Sequence, residues 1–321
     1  MTKKIVVILI LLLILFEAYQ FGIKLNKIPP IRYMQRNTKE IKLEKVLAKG
    51  GLEWLYHDPV GKLALNAIIK RKFISSYYGK KMDSPSSVKK IMPYIKALRL
   101  KKPADVSKYH SFNEFFCRDI PNREKRINRD SLVIISPSDG KILAFNKLDD
   151  RKNFFIKGVD FSLREFIKND SIYNIFQNGE LMIIRLTPAD YHRFYFPYQS
   201  KVIKSYKIDG DLYSVSPFAL RKKVKIFTQN KREATLLYND KIGNYLMMEV
   251  GATFIGSIIQ TFHEHFVGKG EEKGYFKFGG SSIALIFEKD KIEIDNDLLE
   301  NTRSNYETSI LMGEEIAKIK K

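Results

Sequence analysis

Cysteine is almost absent from this sequence, since Cys117 is the only one among 321 residues. One thiol cannot form a disulfide within the chain, and a metal site built on cysteine spacing is excluded as well. Internal repeats, low-complexity tracts and a glycine-rich phosphate loop are also missing from the sequence. With 44% hydrophobic and 29% charged residues, the composition is typical of a folded protein with one substantial core.

Acidic residues are scarce relative to basic ones. The sequence has 36 Asp and Glu against 56 Lys and Arg, which gives a formal net charge of +20. From Ser281 onward acidic residues outnumber basic ones, so the positive charge belongs entirely to the preceding segment. Such a charge indicates nucleic acid, an anionic membrane surface, or a basic surface without a dedicated partner.

A long hydrophobic run occurs at the N-terminus. Residues 5–16 are uninterruptedly apolar, and the apolar character continues to Ile23. The first run alone is too short to cross a hydrocarbon core of about 30 Å, whereas the extended stretch is long enough. A cleaved signal peptide is the alternative, but no small-x-small cleavage site follows. We therefore predict a membrane anchor over residues 1–28, and basic residues on both sides leave its orientation open.

Residues 29–110 are predicted to be helical and membrane-associated. After two prolines, we expect a linker and a short helix over residues 35–49. Apolar residues within 51–78 recur at mostly helical spacing with lysine and arginine between them, and another helix is expected over 84–101. The basic amphipathic segment either lies in the membrane interface or packs its apolar stripe on the core, and both interpretations stay open.

From about Leu132 the hydrophobic period changes to that of strands, with Gly, Asp and Asn between the runs. A helix is expected over Phe161–Ile172. The predicted fold class is α+β: N-terminal membrane-associated helices, then an antiparallel β-rich core of two sheets over residues 111–321. The predicted strands are Val133–Ile135, Ile142–Phe145, Leu181–Leu186, Val224–Phe227, Tyr245–Val250, Phe254–Ile259 and Ser282–Phe287.

Three short motifs carry reactive side chains, and each has an ordinary structural interpretation. Asp139 precedes a glycine, and Asp-Gly is a favoured turn pair. His192 follows a strand-like run among aromatic residues, where a histidine usually serves packing. Gly280 and Ser281 belong to a glycine turn that enters a buried strand. Taken singly, the motifs indicate a β-rich domain of unassigned chemistry.

The order of these motifs resembles the phosphatidylserine decarboxylase proenzyme family, which is pyruvoyl-dependent. The sequence has SPSDG at 136–140, then YHRF at 191–194, then GGSS at 279–282. Further segments are similar to other signatures of the family, namely NEFFCR at 113–118, LYSVSP at 212–217, VGATFIGSI at 250–258 and KGEEKGYFKF at 269–278. The resemblance covers the chain from about Gly51 to Lys289.

The resemblance implies that the chain cuts itself between Gly280 and Ser281, by attack of the serine hydroxyl on the glycine carbonyl. Glycine leaves that carbonyl open because it has no Cβ. The products would be a β chain of residues 1–280 and an α chain of residues 281–321 beginning with a covalent pyruvoyl group derived from Ser281. The resemblance implies that this group would form a Schiff base with phosphatidylserine and accept electrons as CO2 leaves, which would give phosphatidylethanolamine. No metal or dissociable cofactor is implied.

The resemblance also assigns catalytic roles to Ser281, Asp139 and His192, but one position departs from the family pattern. The second histidine of the Tyr-His-Arg-x-His stretch is Tyr195, and an ordinary tyrosine with a pKa of about 10 is a poor base at neutral pH. Three outcomes are open. His192 serves both steps, Tyr195 substitutes with a lowered pKa, or maturation is slow or absent. We favour the first.

The expected partners are phosphatidylserine, an anionic membrane surface and the α and β chains of the same precursor, with no nucleic acid. The expected location is the cytoplasmic face of the cell membrane, and a homodimer is left open. Two other functions remain: a non-maturing relative that binds lipid without turnover, and a pyruvoyl decarboxylase of another amino-acid head group. A nucleic-acid-binding module would explain the charge, but not the apolar N-terminus or the glycine–serine motif.

Overall fold

The computed structural model describes residues 16, 30–46, 49–65, 72–103, 105–147, 162–215, 226–252, 258–263, 265–279 and 281–320. The helices are α1 (Lys49–His57), α2 (Pro59–Ala64), α3 (Lys72–Asp83), α4 (Ile91–Leu98), α5 (Phe112–Phe116), α6 (Leu163–Ile167), α7 (Asp170–Ile175), α8 (Ile226–Gln229) and α9 (Asn296–Arg303), with 3-10 helices at Pro85–Lys90 and Arg123–Arg126. The strands are β1 (Arg32–Gln35), β2 (Glu40–Leu43), β3 (Val133–Ile135), β4 (Gly140–Phe145), β5 (Glu180–Leu186), β6 (Arg193–Tyr195), β7 (Ser200–Ile208), β8 (Arg232–Asn239), β9 (Gly243–Val250), β10 (Ile258–Gln260), β11 (Phe266–Val267), β12 (Glu272–Phe276), β13 (Ser281–Phe287), β14 (Ile292–Ile294), β15 (Glu307–Ile310) and β16 (Glu315–Ile319).

A ten-stranded sheet in the order β11-β7-β8-β9-β13-β5-β4-β15-β1-β2 forms the centre of the molecule. Its neighbouring strands run antiparallel except β1 and β15, which are parallel. Two further sheets of three strands, β10-β12-β6 and β14-β16-β3, complete the β structure of the described residues. The α+β class and the β-rich core are confirmed. The prediction of two sheets is wrong, because the described residues form three. The ten-stranded sheet is about 45 Å wide, and the two small sheets together cover one of its faces.

Both faces of the central strands are buried, which explains their continuous apolar runs. Along β13, Ala284 and Ile286 pack with residues of α6, α7 and α8 on one face. Ile283 and Leu285 face the opposite way, and there they pack with residues of the two small sheets and α9. The strand that begins at Ser281 is therefore held at the centre of a three-layered core.

The helices before the core form an aromatic cluster of their own, which we call the helical cap: α3, α4, α5 and the 3-10 helix Pro85–Lys90. Its buried side chains include Tyr94, Phe112, Phe115 and Phe116. Further towards the N-terminus, Leu65 packs into the main core, whereas the side chain of Leu63 is exposed. The amphipathic segment thus buries one face on the core and leaves apolar side chains on the other.

Among the described residues, no helix combines the length and the apolar character needed to span a bilayer. The predicted anchor at 1–28 lies outside the described residues except for Phe16. Within the region predicted to be helical over 29–110, the described residues form α1 and α2 between Lys49 and Ala64, and α3, a 3-10 helix and α4 between Lys72 and Leu98.

The prediction of a linker and a short helix over 35–49 is wrong for residues 35–43, which belong to the β1–β2 hairpin. Lys39 turns the hairpin with a positive φ of 56°. Tertiary contacts fix the hairpin, because the Arg36 guanidinium binds the carboxylates of Asp295 and Asp297 at 2.7 and 2.8 Å. These partners lie more than 250 residues away, so no local pattern indicates them.

Two further local predictions are corrected. The predicted single helix over Phe161–Ile172 is divided into α6 and α7, because Lys168 takes a left-handed φ of 50° and Asn169 caps the next helix. The predicted strand Val224–Phe227 lies partly outside the described residues, and its described end begins α8. Short apolar runs do not distinguish a buried strand from a buried helix.

Candidate active site

Ser281 is the first residue of β13 and pairs with Leu186 of β5. Because side chains alternate along a strand, Ser281 shares the face of Ile283, which packs towards the two small sheets. The chain enters β6 on that side, immediately after His192. Both Ser281 and His192 are fully buried. The fold thereby brings together two residues that are 89 positions apart in sequence.

His192 is held so that one ring nitrogen is available to the serine. Its Nε2 lies 3.1 Å from the carbonyl oxygen of Thr187, and since a carbonyl only accepts, Nε2 carries the proton. The lone pair therefore lies on Nδ1, which is 3.4 Å from the Ser281 Oγ. The distance is long for a hydrogen bond, as is common before the reacting groups close up. The geometry is that of a serine facing a general base.

Burial keeps this histidine uncharged. The Phe116 ring lies over the imidazole with 4.1 Å between ring centroids. Burial lowers the pKa of His192 to about 4, although the nearby Asp190 carboxylate acts in the opposite direction. At neutral pH the ring is therefore free to accept a proton.

A second layer of contacts fixes the Thr187 carbonyl. The Asp190 carboxylate accepts hydrogen bonds from the Thr187 amide and hydroxyl, both at 2.7 Å, and binds the Lys141 ammonium at 3.2 Å. Burial alone would raise the pKa of Asp190, but Lys141 and the Thr187 hydrogen bonds outweigh it and hold the pKa below its usual value. Asp190 is thus an ionised carboxylate that orients the turn on which the histidine depends.

Asp139 lies near this site but contacts other groups. Its Oδ1 accepts from the Met312 amide at 2.8 Å and from Arg126 at 3.2 Å. Burial raises the pKa of Asp139 to about 6, against the lowering effects of Met312 and Arg126. Within the described residues, Asp139 makes no hydrogen bond to His192 or Ser281.

Tyr195, which replaces the second histidine of the pattern, points towards a different carboxylate. Its hydroxyl donates to Asp119 at 3.1 Å, and the Arg123 guanidinium lies over its ring. Burial, and then the Asp119 charge, raise the pKa of the Tyr195 phenol. A raised pKa leaves even less of the phenolate, the form that accepts a proton, at neutral pH than an ordinary tyrosine has.

The sequence matches a known family. The family model for phosphatidylserine decarboxylase matches residues 112–318. A phosphatidylserine decarboxylase proenzyme of Fusobacterium nucleatum is 44% identical over 296 residues, which cover 90% of this chain and 98% of the relative. Proenzymes of the same name from Clostridium kluyveri and Clostridium botulinum are 43% and 42% identical over 290 residues, with 89% of this chain and 98% of each relative covered.

The chain belongs to the phosphatidylserine decarboxylase family. In this decarboxylase family the relatives are named proenzymes, and the candidate cleavage site precedes the central strand. Gly280 lies outside the described residues, but the preceding Gly279 has a φ of 137°, in the region that favours glycine. The scissile segment is thus approached through a backbone conformation that few other residues adopt.

Sequence reasoning missed four residues of this decarboxylase-family site: Phe116, Lys141, Thr187 and Asp190. One signal for them is present, because Thr187 and Asp190 form a Thr-x-x-Asp pattern, in which an acidic side chain three residues on binds back to the first amide. Phe116 stands in a motif that carried the resemblance but had received no role. Lys141 has no local signal, since its partner Asp190 is 49 residues away.

Proposed function

We propose that this chain is a proenzyme that cuts itself at Gly280–Ser281 and then decarboxylates phosphatidylserine to phosphatidylethanolamine and CO2. The observation that carries the proposal is the 3.4 Å approach of the Ser281 Oγ to the unprotonated Nδ1 of His192, at the start of a buried central strand. Membership of the decarboxylase family supports the same reaction.

In the first step of self-cleavage, His192 Nδ1 takes the proton of the Ser281 hydroxyl. The Oγ then forms a bond to the Gly280 carbonyl carbon, the peptide C–N bond breaks, and the Ser281 nitrogen takes up the proton. The product is an ester between Gly280 and the serine side chain. The neutral, buried histidine has its Nδ1 lone pair free for this step, and the lowered pKa makes it a weaker base than an ordinary imidazole, so the step depends on the close approach of Ser281 Oγ to Nδ1.

In the second step the Ser281 Cα loses its proton, the Cβ–Oγ bond breaks, and the upstream chain leaves with a Gly280 carboxylate. The remaining dehydroalanine takes up water and loses ammonia, which leaves a pyruvoyl group on residue 281. The chain is thereby divided into a β chain of residues 1–280 and an α chain of residues 281–321. The α chain contributes β13, β14, β15 and β16 to the core, so both chains are expected to stay together.

The surroundings of Ser281 fit a pyruvoyl group. Strand pairing with Leu186 fixes residue 281, and the Phe116 ring over His192 limits water beside it. The pyruvoyl group supplies an electrophilic carbonyl that binds the substrate amine and accepts the electron pair left by CO2. We assign the proton transfers of both maturation and turnover to His192. Asp139 and Tyr195 remain candidates beside it, in roles that do not require direct contact with Ser281.

We further propose that the enzyme works against the cytoplasmic face of an anionic membrane. A diacyl lipid leaves the bilayer only at a cost of about 0.8 kcal/mol per CH2, so the enzyme must approach the surface. Leu63, Tyr77 and Met92 are exposed by 70%, 67% and 46%, and exposed lysines such as Lys80 and Lys81 accompany them. Each basic residue near such a surface adds about 1 kcal/mol.

One alternative has an observation in its favour. Tyr195 stands in place of a histidine and binds Asp119, which would suit a relative that binds lipid without maturing. Intact mass of the purified protein separates the two, with Ser281→Ala as control. Two fragments split at Gly280–Ser281, the smaller without a free amino terminus, support the proposed function. A single uncut chain in both samples would support the lipid-binding relative.

The identity of the head group is tested separately by lipid analysis after expression in cells that lack their own decarboxylase. Conversion of phosphatidylserine to phosphatidylethanolamine is expected with the natural sequence and not with Ser281→Ala. A cut protein that leaves phosphatidylserine unchanged would indicate a pyruvoyl decarboxylase of another amino-acid head group.

A further inference from the structure

The short helix α5 contacts both partners of the self-cleavage reaction. The Phe116 ring covers His192. From the same helix, the Asn113 Oδ1 accepts a hydrogen bond from the Phe278 amide at 3.0 Å. Directly after the helix, the Cys117 Sγ donates to the Phe276 carbonyl at 3.2 Å. One helix therefore touches the base and the main chain that leads to the scissile bond.

Asn113 links the main chain at Phe278 to the helical cap by hydrogen bonds. Its side chain is buried, with 3% exposed, and its Nδ2 donates to the Asp83 Oδ1 at 2.9 Å. Lys277, the residue before Phe278, binds the same Asp83 carboxylate at 3.0 Å. The amide orientation is fixed, because Oδ1 faces a donor and Nδ2 faces an acceptor. Neither contact survives if the amide is flipped.

The Phe278 ring is enclosed by the same cap. Ring centroids of Phe112 and Phe116 lie 5.0 and 5.1 Å from it in edge-to-face geometry. Tyr78 and Tyr94 lie at 6.0 and 6.1 Å. The residue two positions before Gly280 is thus held by its ring and by its amide, and the next residue is Gly279 with its φ of 137°.

We propose that Asn113 is a positioning residue for self-cleavage, which it serves by fixing the Phe278 main chain and hence the approach of the Gly280 carbonyl to the Ser281 hydroxyl. This inference rests on the proposed function. The physical reason is that a reaction within one chain depends on the reacting atoms being held in place, and a misplacement of about 1 Å can lower the rate about 100-fold. Glycines at 279 and 280 add freedom to this segment, so an external contact has to restrain it.

The first test compares Asn113→Leu with Ser111→Ala, by following conversion of newly translated precursor into its two fragments. Asn113→Leu removes the side-chain hydrogen bonds to Phe278 and Asp83 and a longer one, at 3.4 Å, to the Gly79 carbonyl. We expect cleavage to slow roughly 10- to 100-fold. Ser111→Ala removes the cap of the same helix, a hydrogen bond of 3.1 Å to the Glu114 amide, and leaves the contact to Phe278 intact. We expect this control to lower the melting temperature and to leave the cleavage rate unchanged.

The second test is a rescue. Asn113→Asp keeps an acceptor for Phe278 but places two carboxylates 2.9 Å apart, so cleavage should slow. Adding Asp83→Asn restores a donor opposite the new carboxylate, and the double variant should return to within roughly threefold of the original rate, because the hydrogen-bonded chain is restored with its members exchanged.

Folded Asn113→Leu that matures at the original rate would overturn the inference, and so would a double variant that stays as slow as Asn113→Asp. If Ser111→Ala slows cleavage as much as Asn113→Leu does, the effect comes from loss of helix stability, and the proposed positioning role of Asn113 is refuted. The proposed function is judged separately on the natural sequence, because a chain that is never cut refutes the function itself, whereas normal cutting in all variants refutes only the role of Asn113.

Discussion

The low pKa of His192 predicts an unusual pH dependence of self-cleavage. Under the proposed mechanism only the neutral imidazole can accept the Ser281 proton, so the cleavage rate is expected to fall as pH drops through the pKa of His192. With an ordinary pKa of about 6.5, roughly one-tenth of the imidazole is neutral at about pH 5.5. With the pKa of about 4 that burial imposes here, about 97% is neutral at that pH. The rate at pH 5.5 should therefore nearly equal the rate at about pH 7.5, instead of falling about tenfold.

The measurement is the rate at which precursor from cell-free translation is converted to fragments after transfer to buffers across this range. Asp139 has a pKa raised to about 6 and titrates in the same window, so the series is repeated with Asp139→Asn. An inflection near pH 6 that disappears in this variant belongs to Asp139. A tenfold fall that persists would refute a buried, neutral His192 as the base.

Phe116 is expected to contribute to the burial that lowers the pKa of His192, because its ring lies over the imidazole. Phe116→Ala removes the ring over His192 and admits water, so the pKa should rise towards 6.5 and the rate should become sensitive to pH between 5.5 and 7.5. Tyr109→Ala deletes another buried ring of the same aromatic cluster, one that packs edge-to-face against Phe115, and should leave the pH profile flat.

Two further predictions concern buried charges, and both are measured by urea unfolding in the uncut Ser281→Ala background. Lys141→Met leaves the Asp190 carboxylate without its cation, so we expect a loss of about 3–5 kcal/mol, with slower maturation when Ser281 is restored. Glu249 and Lys273 form a fully buried ion pair at 2.9 Å, so Lys273→Met should cost about 3–5 kcal/mol. Combining it with Glu249→Leu should recover most of that loss, and a double variant as unstable as the single one would contradict the prediction.

Several features of the fold were predictable because they depend on neighbouring residues. The apolar runs at Val133–Ile135 and Ser282–Phe287 became β3 and β13, since such runs are stable only where both sides are covered. The predicted two-sheet core is wrong for the opposite reason, because the partner surfaces come from distant parts of the chain. The described end of the predicted strand Val224–Phe227 is also wrong, since it begins α8. The β1–β2 hairpin likewise depends on Arg36 meeting Asp295 and Asp297.

By itself, the sequence determined the family and singled out Gly280–Ser281 as the candidate cleavage site. A single cysteine, a Gly-Gly-Ser-Ser turn before an apolar strand and one histidine in the Tyr-His-Arg motif are all local facts. Only the tertiary structure decided what surrounds the serine. It set His192 beside Ser281, supplied Asp190 through Thr187 as the group that orients the histidine, and directed Tyr195 to Asp119. The physical reason is that proton acceptance depends on burial and on hydrogen bonds between strands, and both arise only when distant segments pack together.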